Sequence, residues 1–333
     1  MADRGRDGHL LDTPVERLRR NLVLALALGA AVYLILAVFS DLDELAAALD
    51  SFDYALIPAI LGLVALSYVG RFFRWTYYLG VLEVSVPTGI NAAIFTSGLS
   101  MTISPGKLGE VLKSVFLRKV SGAPIARTAP AVVAERATDG TGMVLWGFLG
   151  AFALNLPPWT MLAFLAVAVF GIAVLRSKDL SLAAERVLSK LPLLNRLAPH
   201  LGDFQGASNE LLATRPLLVG TTISFFSWGL ECAGVYLCAV GLGVDRPFLL
   251  IVFVFAVSSL LGVLSMLPGG IGAVEAGLYG QFVAVANLST GVAGALTLII
   301  RLATLWFATL LGICGLLLVQ RLLGDAPLEP HDR

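Results

Sequence analysis

Nine ionisable side chains lie within stretches that are otherwise apolar: Lys107, Glu110, Lys113, Glu135, Arg136, Asp139, Glu231, Glu275 and Arg301. A charge at the centre of a bilayer costs about 2.5–3.5 kcal/mol on insertion scales, so such residues must face one another or water. The cations Lys107, Arg136 and Arg301 suit neutralising an anion such as a phosphate. The carboxylates Glu110, Glu135, Asp139, Glu231 and Glu275 suit pairing with those cations in an empty site, or binding a coupling proton. Glu135 and Asp139 are four residues apart and share a helix face. Acid–base chemistry by Glu135 and Asp139, or by Glu110 and Glu275, is a second use of the same groups. A structural ion-pair network is the third. Arg71 and Arg74 stand among Phe72, Phe73, Trp75, Tyr77 and Tyr78. That mixture reads as an interfacial belt in which both arginines contact headgroups or snorkel to water.

Metal and thiol chemistry find no such pattern. His9, His200 and His331 fall in polar segments, and Cys232, Cys238 and Cys314 lack zinc or disulfide spacing. The cysteines read as packing residues, and no metal or cofactor is expected.

Two Gly/Pro-rich breaks sit beside the charges. One is Ser104-Pro105-Gly106-Lys107-Leu108-Gly109-Glu110. The other is Leu267-Pro268-Gly269-Gly270-Ile271-Gly272-Ala273-Val274-Glu275. Each reads Pro-Gly-x-aliphatic-Gly with an acid just after, and each is followed some way on by an arginine, Arg136 or Arg301. A break at membrane depth is tolerated only where it is buried in protein or lines a wet cavity. Helices restarting after the break would point N–H groups at an anion.

The elements that must position these groups follow from composition. Hydrophobic residues make up 57% of the 333-residue chain and charged residues only 14%. Soluble domains carry about 25% charged residues, so this is a membrane composition. Ten-residue alternating strand patterns are absent, which leaves helices. The formal net charge is +0, and no nucleic-acid partner is expected.

The spacing predicts a cytoplasmic arm over 1–20 and a single membrane domain over 21–320. A tail at 321–333 is expected to be disordered. The first span, about Asn21–Phe39, is too long for a signal h-region and lacks an Ala-x-Ala site, so it is expected to be retained. Half-repeats are predicted at about 56–154 and 216–319, joined by a span at 159–175 and a basic insert at 176–215. Leu182, Val187, Leu188 and Leu191 give that insert the look of an amphipathic helix lying on the membrane. The positive-inside rule puts the N-terminal arginines, Arg118–Arg127, the insert and Arg321 in the cytoplasm, and the acidic loop after Phe39 outside. Both termini are then cytoplasmic. The same rule makes each Gly/Pro break the tip of a re-entrant hairpin, one entering from each side. The predicted fold is an all-α polytopic membrane protein: about six full transmembrane helices plus two re-entrant hairpins in an inverted repeat, or about eight segments counted plainly. Paired interrupted segments in two oppositely oriented halves point to a transport site.

The three motifs in order, Ser104–Glu110, Glu135-Arg136-x-x-Asp139 and Pro268-Gly269-Gly270-Ile271-Gly272-x-x-Glu275 with Arg301, resemble the lysylphosphatidylglycerol synthase transmembrane family, also called flippase-like. The resemblance covers nearly the whole chain. That family includes the flippase part of the multiple peptide resistance factor, and stand-alone proteins linked to hopanoid or polyprenyl-glycolipid pathways. Full-length synthases add more helices and a soluble aminoacyl-transferase domain; this chain ends soon after Arg321, so lysine transfer is not expected.

The resemblance implies a bacterial inner-membrane protein that moves a phospholipid or a polyprenyl- or isoprenoid-linked lipid between leaflets. Its central cavity would be lined by Lys107, Glu110, Glu135, Arg136, Asp139, Glu231, Glu275 and Arg301. Pro105, Gly106, Gly109, Pro268, Gly269, Gly270 and Gly272 would shape the tips. The alternatives are an intramembrane enzyme on a lipid-linked substrate and a non-transporting partner of a lipid-modifying enzyme or glycosyltransferase.

Overall fold

The computed structural model describes residues 40–103, 110–176 and 201–324. The expected first span, the Ser104–Gly109 tip with Pro105, Gly106, Lys107 and Gly109, most of the basic insert, and the tail beyond 324 lie outside the described residues. Within them the chain is helical, with no strand.

The helices repeat in two sets. The first set is α2 (Ile57–Val81), α3 (Thr88–Leu99), a 3-10 turn (Ser100–Ile103), α4 (Leu112–Ser121) and α5 (Ile125–Ala153). The second is α8 (Thr214–Gly241), α9 (Phe248–Leu264), a 3-10 turn (Pro268–Gly270), α10 (Ala273–Ala284) and a long helix. That last helix is α11 (Thr290–Arg301), a π-turn (Leu302–Trp306) and α12 (Phe307–Leu323). Outside the repeats lie α1 (Leu42–Asp50), α6 (Pro158–Arg176) and α7 (Leu201–Leu211).

Length separates spans from broken segments. Tyr54–Val81, Thr214–Gly241 and Thr290–Leu323 are long and apolar enough to cross a bilayer. Helix α5 has 29 residues and matches their length, but carries Glu135, Arg136 and Asp139. Helix α3, at 12 residues, spans about 18 Å at 1.5 Å per residue, short of a hydrocarbon core of about 30 Å. Helix α4 has 10 residues and α10 has 12. Such short helices on both sides of each break match the hairpin pattern of the sequence.

The corners are built from the same local chemistry. After α2 the chain turns at Glu83 (φ 58°), with the Val84 N–H donating to the Leu79 carbonyl. After α8 it turns at Gly243 (φ 67°), with the Val244 N–H donating to the Ala239 carbonyl. Both are left-handed caps that satisfy orphan carbonyls. Pro87 and Pro247 then precede α3 and α9. The sequence signal is Leu82-x-Val84-x-x-Pro87 against Leu242-x-Val244-x-x-Pro247, a repeat that composition alone does not reveal.

Helix packing places the halves against each other. Helix α2 lies along α8, α5 along α8 and α9, and α12 along α3. Between membrane helices there is no hydrophobic drive, so close approach of small residues carries packing. Gly312 shows this: a Cβ there would stand 1.9 Å from the Ser100 nitrogen on the opposing segment. The two hairpins also meet. Ser100–Ile103 touches Pro268–Gly270, and Ile103, Ile271 and Leu305 form one small core. Helix α7 packs on α5, with Arg127 Nη1 donating to Glu210 Oε1 at 2.7 Å.

Candidate functional site

The second tip is folded by three glycines and two charges. Gly269, Gly270 and Gly272 have φ of 61°, 64° and 96°, a region that side chains with a Cβ rarely enter. The Gly272 N–H donates to Glu275 Oε2 at 2.7 Å, capping the start of α10. Arg301 on α11 donates from Nε to Glu275 Oε1 at 2.7 Å and from Nη2 to the Gly269 carbonyl at 2.9 Å. Glu275 and Arg301 therefore close a buried latch on the tip. The π-turn begins at the next residue and brings Thr304 to the cavity wall. There the Tyr68 hydroxyl donates to the Thr304 carbonyl at 3.3 Å. Irregular π-turns of this kind cluster at functional sites.

The first half carries the corresponding pair. Arg136 Nη2 lies 3.1 Å from Glu110 Oε2 and 3.2 Å from Asp139 Oδ2. Glu110 and Arg136 have the same sequence separation as Glu275 and Arg301. The Arg136 side chain is 31% exposed, whereas that of Arg301 is 7% exposed. The arginine of the first pair is thus partly exposed, although Glu110 is buried, where the second pair is sealed.

Arg71 and Arg74, expected at an interfacial belt, are instead buried in the cavity wall. Their helix rotates them away from lipid and toward acids on α5 and α8. Arg71 Nη2 donates to Glu231 Oε2. Its guanidinium carbon lies 4.2 Å from the Trp228 ring centroid and 5.4 Å from that of Tyr68. Arg74 Nη1 donates to Asp139 Oδ1 at 2.6 Å and to Thr138 Oγ1 at 3.1 Å. Asp139 Oδ1 also accepts from Ser224 Oγ at 2.9 Å and Trp228 Nε1 at 3.2 Å.

Lys113 is a site residue that the sequence pattern placed in the membrane without a role. Its Nζ sits 2.5 Å from Glu135 Oε2 and 3.8 Å from Glu110 Oε2, over the Trp75 ring at 4.3 Å. A lysine whose head is ringed by acid and aromatic faces is heavily committed. Its helical spacing of three from Glu110 was the available signal.

These groups converge on one cavity of about 260 Å³. Arg71, Arg74, Lys113, Arg136 and Arg301 line it together with Glu110, Glu135, Asp139 and Glu231. Gly269 and Gly270 from the second tip line it too, while Glu275 stands behind Arg301. Apolar side chains complete the lining: Phe255, Leu260, Val263, Met266, Leu267 and Leu305. Val263 and Met266 are 61% and 62% exposed, so the lining reaches the outer surface at these residues. Of the sequence-predicted residues, Glu110, Glu135, Arg136, Asp139, Glu231, Arg301, Gly269 and Gly270 meet at this cavity. Pro268 and Gly272 flank it in the tip, and Lys107 lies outside the described residues. Cys232 and Cys238 are buried as packing residues, but Cys314 is exposed.

The chain is similar to known membrane proteins along most of its length. The chain matches the family model described as "Lysylphosphatidylglycerol synthase TM region" over residues 22–312. It is similar to a UPF0104 membrane protein of Methanothermobacter thermautotrophicus, 27% identical over 289 residues, covering 79% of this chain and 84% of the relative. A second protein of that organism with the same designation is 25% identical over 328 residues, covering 89% and 92%. A UPF0104 membrane protein of Pyrococcus horikoshii is 24% identical over 327 residues, covering 89% and 96%.

Proposed function

Because the chain belongs to the lysylphosphatidylglycerol synthase transmembrane-region family, we propose that this integral membrane protein translocates lipids between leaflets. The observation that carries this reading is a cavity whose lining is both charged and apolar. The charged groups are largely buried, and the apolar lining reaches the surface at Val263 and Met266. An amphiphile matches that division. Its headgroup lies among the charges while its chains leave along the apolar lining into the bilayer.

Size supports the same division. Drug-sized ligands occupy pockets of about 300–1,000 Å³, and this cavity is about 260 Å³. A headgroup fits and a whole lipid does not. Arg71, Arg74, Lys113 and Arg136 neutralise the anionic part of the headgroup, and the acids re-pair as it leaves. Arg301 and Glu275 hold the second tip in place. Substrates are phospholipids or polyprenyl- or isoprenoid-linked lipids, and both termini are cytoplasmic.

Intramembrane catalysis has less support. Each candidate carboxylate is committed to a cation at close range, Glu110 to Arg136, Glu135 to Lys113, Asp139 to Arg74 and Glu275 to Arg301.

Reconstitution in liposomes tests the proposal. Labelled phospholipids and polyprenyl-linked lipids should exchange leaflets faster with wild-type protein than with Arg74→Gln at equal protein incorporation. Equal rates for wild type, Arg74→Gln and empty liposomes across the panel would refute translocation. Chemical conversion of the lipid would favour the enzyme reading.

A further inference from the structure

Every cation of the cavity among the described residues has an acid within ion-pair distance. The pairs are Arg71–Glu231, Arg74–Asp139, Lys113–Glu135, Arg136–Glu110 and Arg301–Glu275. A ligand bearing charge of one sign would take one member of a pair and orphan the other. An orphaned charge away from water is far more costly than a pair. A ligand bearing both signs exchanges partners and orphans neither.

The Arg71–Glu231 pair has the features that such an exchange needs. Arg71 on α2 and Glu231 on α8 both line the cavity, one from each half of the repeat. Arg71 Nη2 is engaged by Glu231, while the neighbouring Nε is buried and has no acceptor. Nε and Nη2 form one edge of the guanidinium, a fork that matches two oxygens on a single phosphorus or carbon. One arm of that fork is therefore waiting for an acceptor. Around it stand the faces of Trp228 and Tyr68, both in the cavity wall. Aromatic faces beside a carboxylate form a recognised environment for an ammonium group. Arg71 now fills that environment; a ligand ammonium can replace it as the guanidinium turns to the ligand's anion.

We infer that the Arg71–Glu231 pair, with Tyr68 and Trp228, is a binding subsite for a zwitterionic lipid headgroup. Its phosphate takes the Arg71 fork, and its ammonium takes Glu231 between the two rings. The inference rests on the lipid reading above and names the headgroup class for the same cavity.

Isothermal titration of the purified full chain in nanodiscs tests it, with short-chain dihexanoyl lipids as probes. The phosphoethanolamine and phosphocholine forms should bind about tenfold or more tighter than the phosphoglycerol form with identical chains. Glu231→Gln removes the acid and leaves Arg71 uncompensated, so the preference should reverse toward the phosphoglycerol lipid. Should that variant fail to fold, Tyr68→Leu should weaken the zwitterionic lipids alone and leave phosphoglycerol binding unchanged.

Tighter binding of the phosphoglycerol lipid to wild type, equal binding of all three, or no binding overturns the inference. Free phosphoethanolamine binding as tightly as its lipid overturns the lipid part of it. Zwitterion-selective binding without leaflet exchange would sink translocation and leave this subsite standing.

Discussion

Arg301 Nε reaches Glu275 Oε1 at 2.7 Å across 26 residues of sequence, and the pair is almost fully buried. Its counterpart, Arg136 with Glu110, has the same spacing and a distance of 3.1 Å but an arginine 31% exposed. What the halves share is the latch. What they do not share is the charge around it. Counting from the latch acids, Lys113 corresponds to Leu278; counting from the latch arginines, Glu135 corresponds to Ile300 and Asp139 to Thr304. The first half supplies most of the charged lining, and the second supplies a sealed tip and most of the apolar lining.

The two latches should therefore differ in energetic weight. Arg301→Ala leaves the Glu275 carboxylate buried without its cation, a change that costs about 3–5 kcal/mol in comparable settings. Arg136→Ala should cost less, because Arg136 is partly exposed and Glu110 keeps Lys113 Nζ at 3.8 Å. Thermal unfolding in detergent should show the larger drop for Arg301→Ala. The opposite order would contradict a sealed second tip.

Asp139 should be essential to stability through Arg74. Asp139→Asn leaves a guanidinium that is 0% exposed without its counter-charge, again about 3–5 kcal/mol. Replacing both partners, as Arg74→Met with Asp139→Leu, should recover much of the melting temperature because no charge is orphaned. The double variant should still fail to exchange lipid between leaflets. Full transport by the double variant would remove this pair from the site.

Gly312 should tolerate no side chain. A Cβ there would meet the Ser100 backbone nitrogen at 1.9 Å. Backbone cannot step aside as a side chain can, so Gly312→Ala should cost at least the about 1–3 kcal/mol typical of overpacking. Gly280 on α10 is the control, because a Cβ there would meet nothing within 4 Å. Gly280→Ala should be neutral or stabilising by about 0.4–1 kcal/mol. Melting temperatures of the two variants compare them directly.

The cysteines offer a check on helix orientation. Cys232 and Cys238 are buried and Cys314 is exposed. A membrane-permeant thiol reagent should label Cys314 in the folded protein and reach the other two only after denaturation. Peptide mapping that finds Cys232 labelled first would place α8 the wrong way round.

The sequence by itself determined the solvent, the helices and the breaks. Apolar run lengths admit no other way to satisfy backbone groups in lipid, and Pro268-Gly269-Gly270 with Gly272 dictates a chain reversal whatever packs around it. It also located the charges, because an ionisable residue in an apolar run is visible without coordinates. Only the tertiary structure decided which charge faces which. Arg71 and Arg74 sit near the end of an aromatic-rich helix, a local pattern shared by interfacial anchors and by buried pairs. The acids that decide between those fates, Glu231 and Asp139, lie 160 and 65 residues away along the chain. Helix rotation about its own axis is set by such distant partners and not by local propensity. The Glu275–Arg301 latch was likewise present as two residues and a spacing; its role in pinning the tip appeared only when the Gly269 carbonyl and the Gly272 N–H came within hydrogen-bonding distance of it.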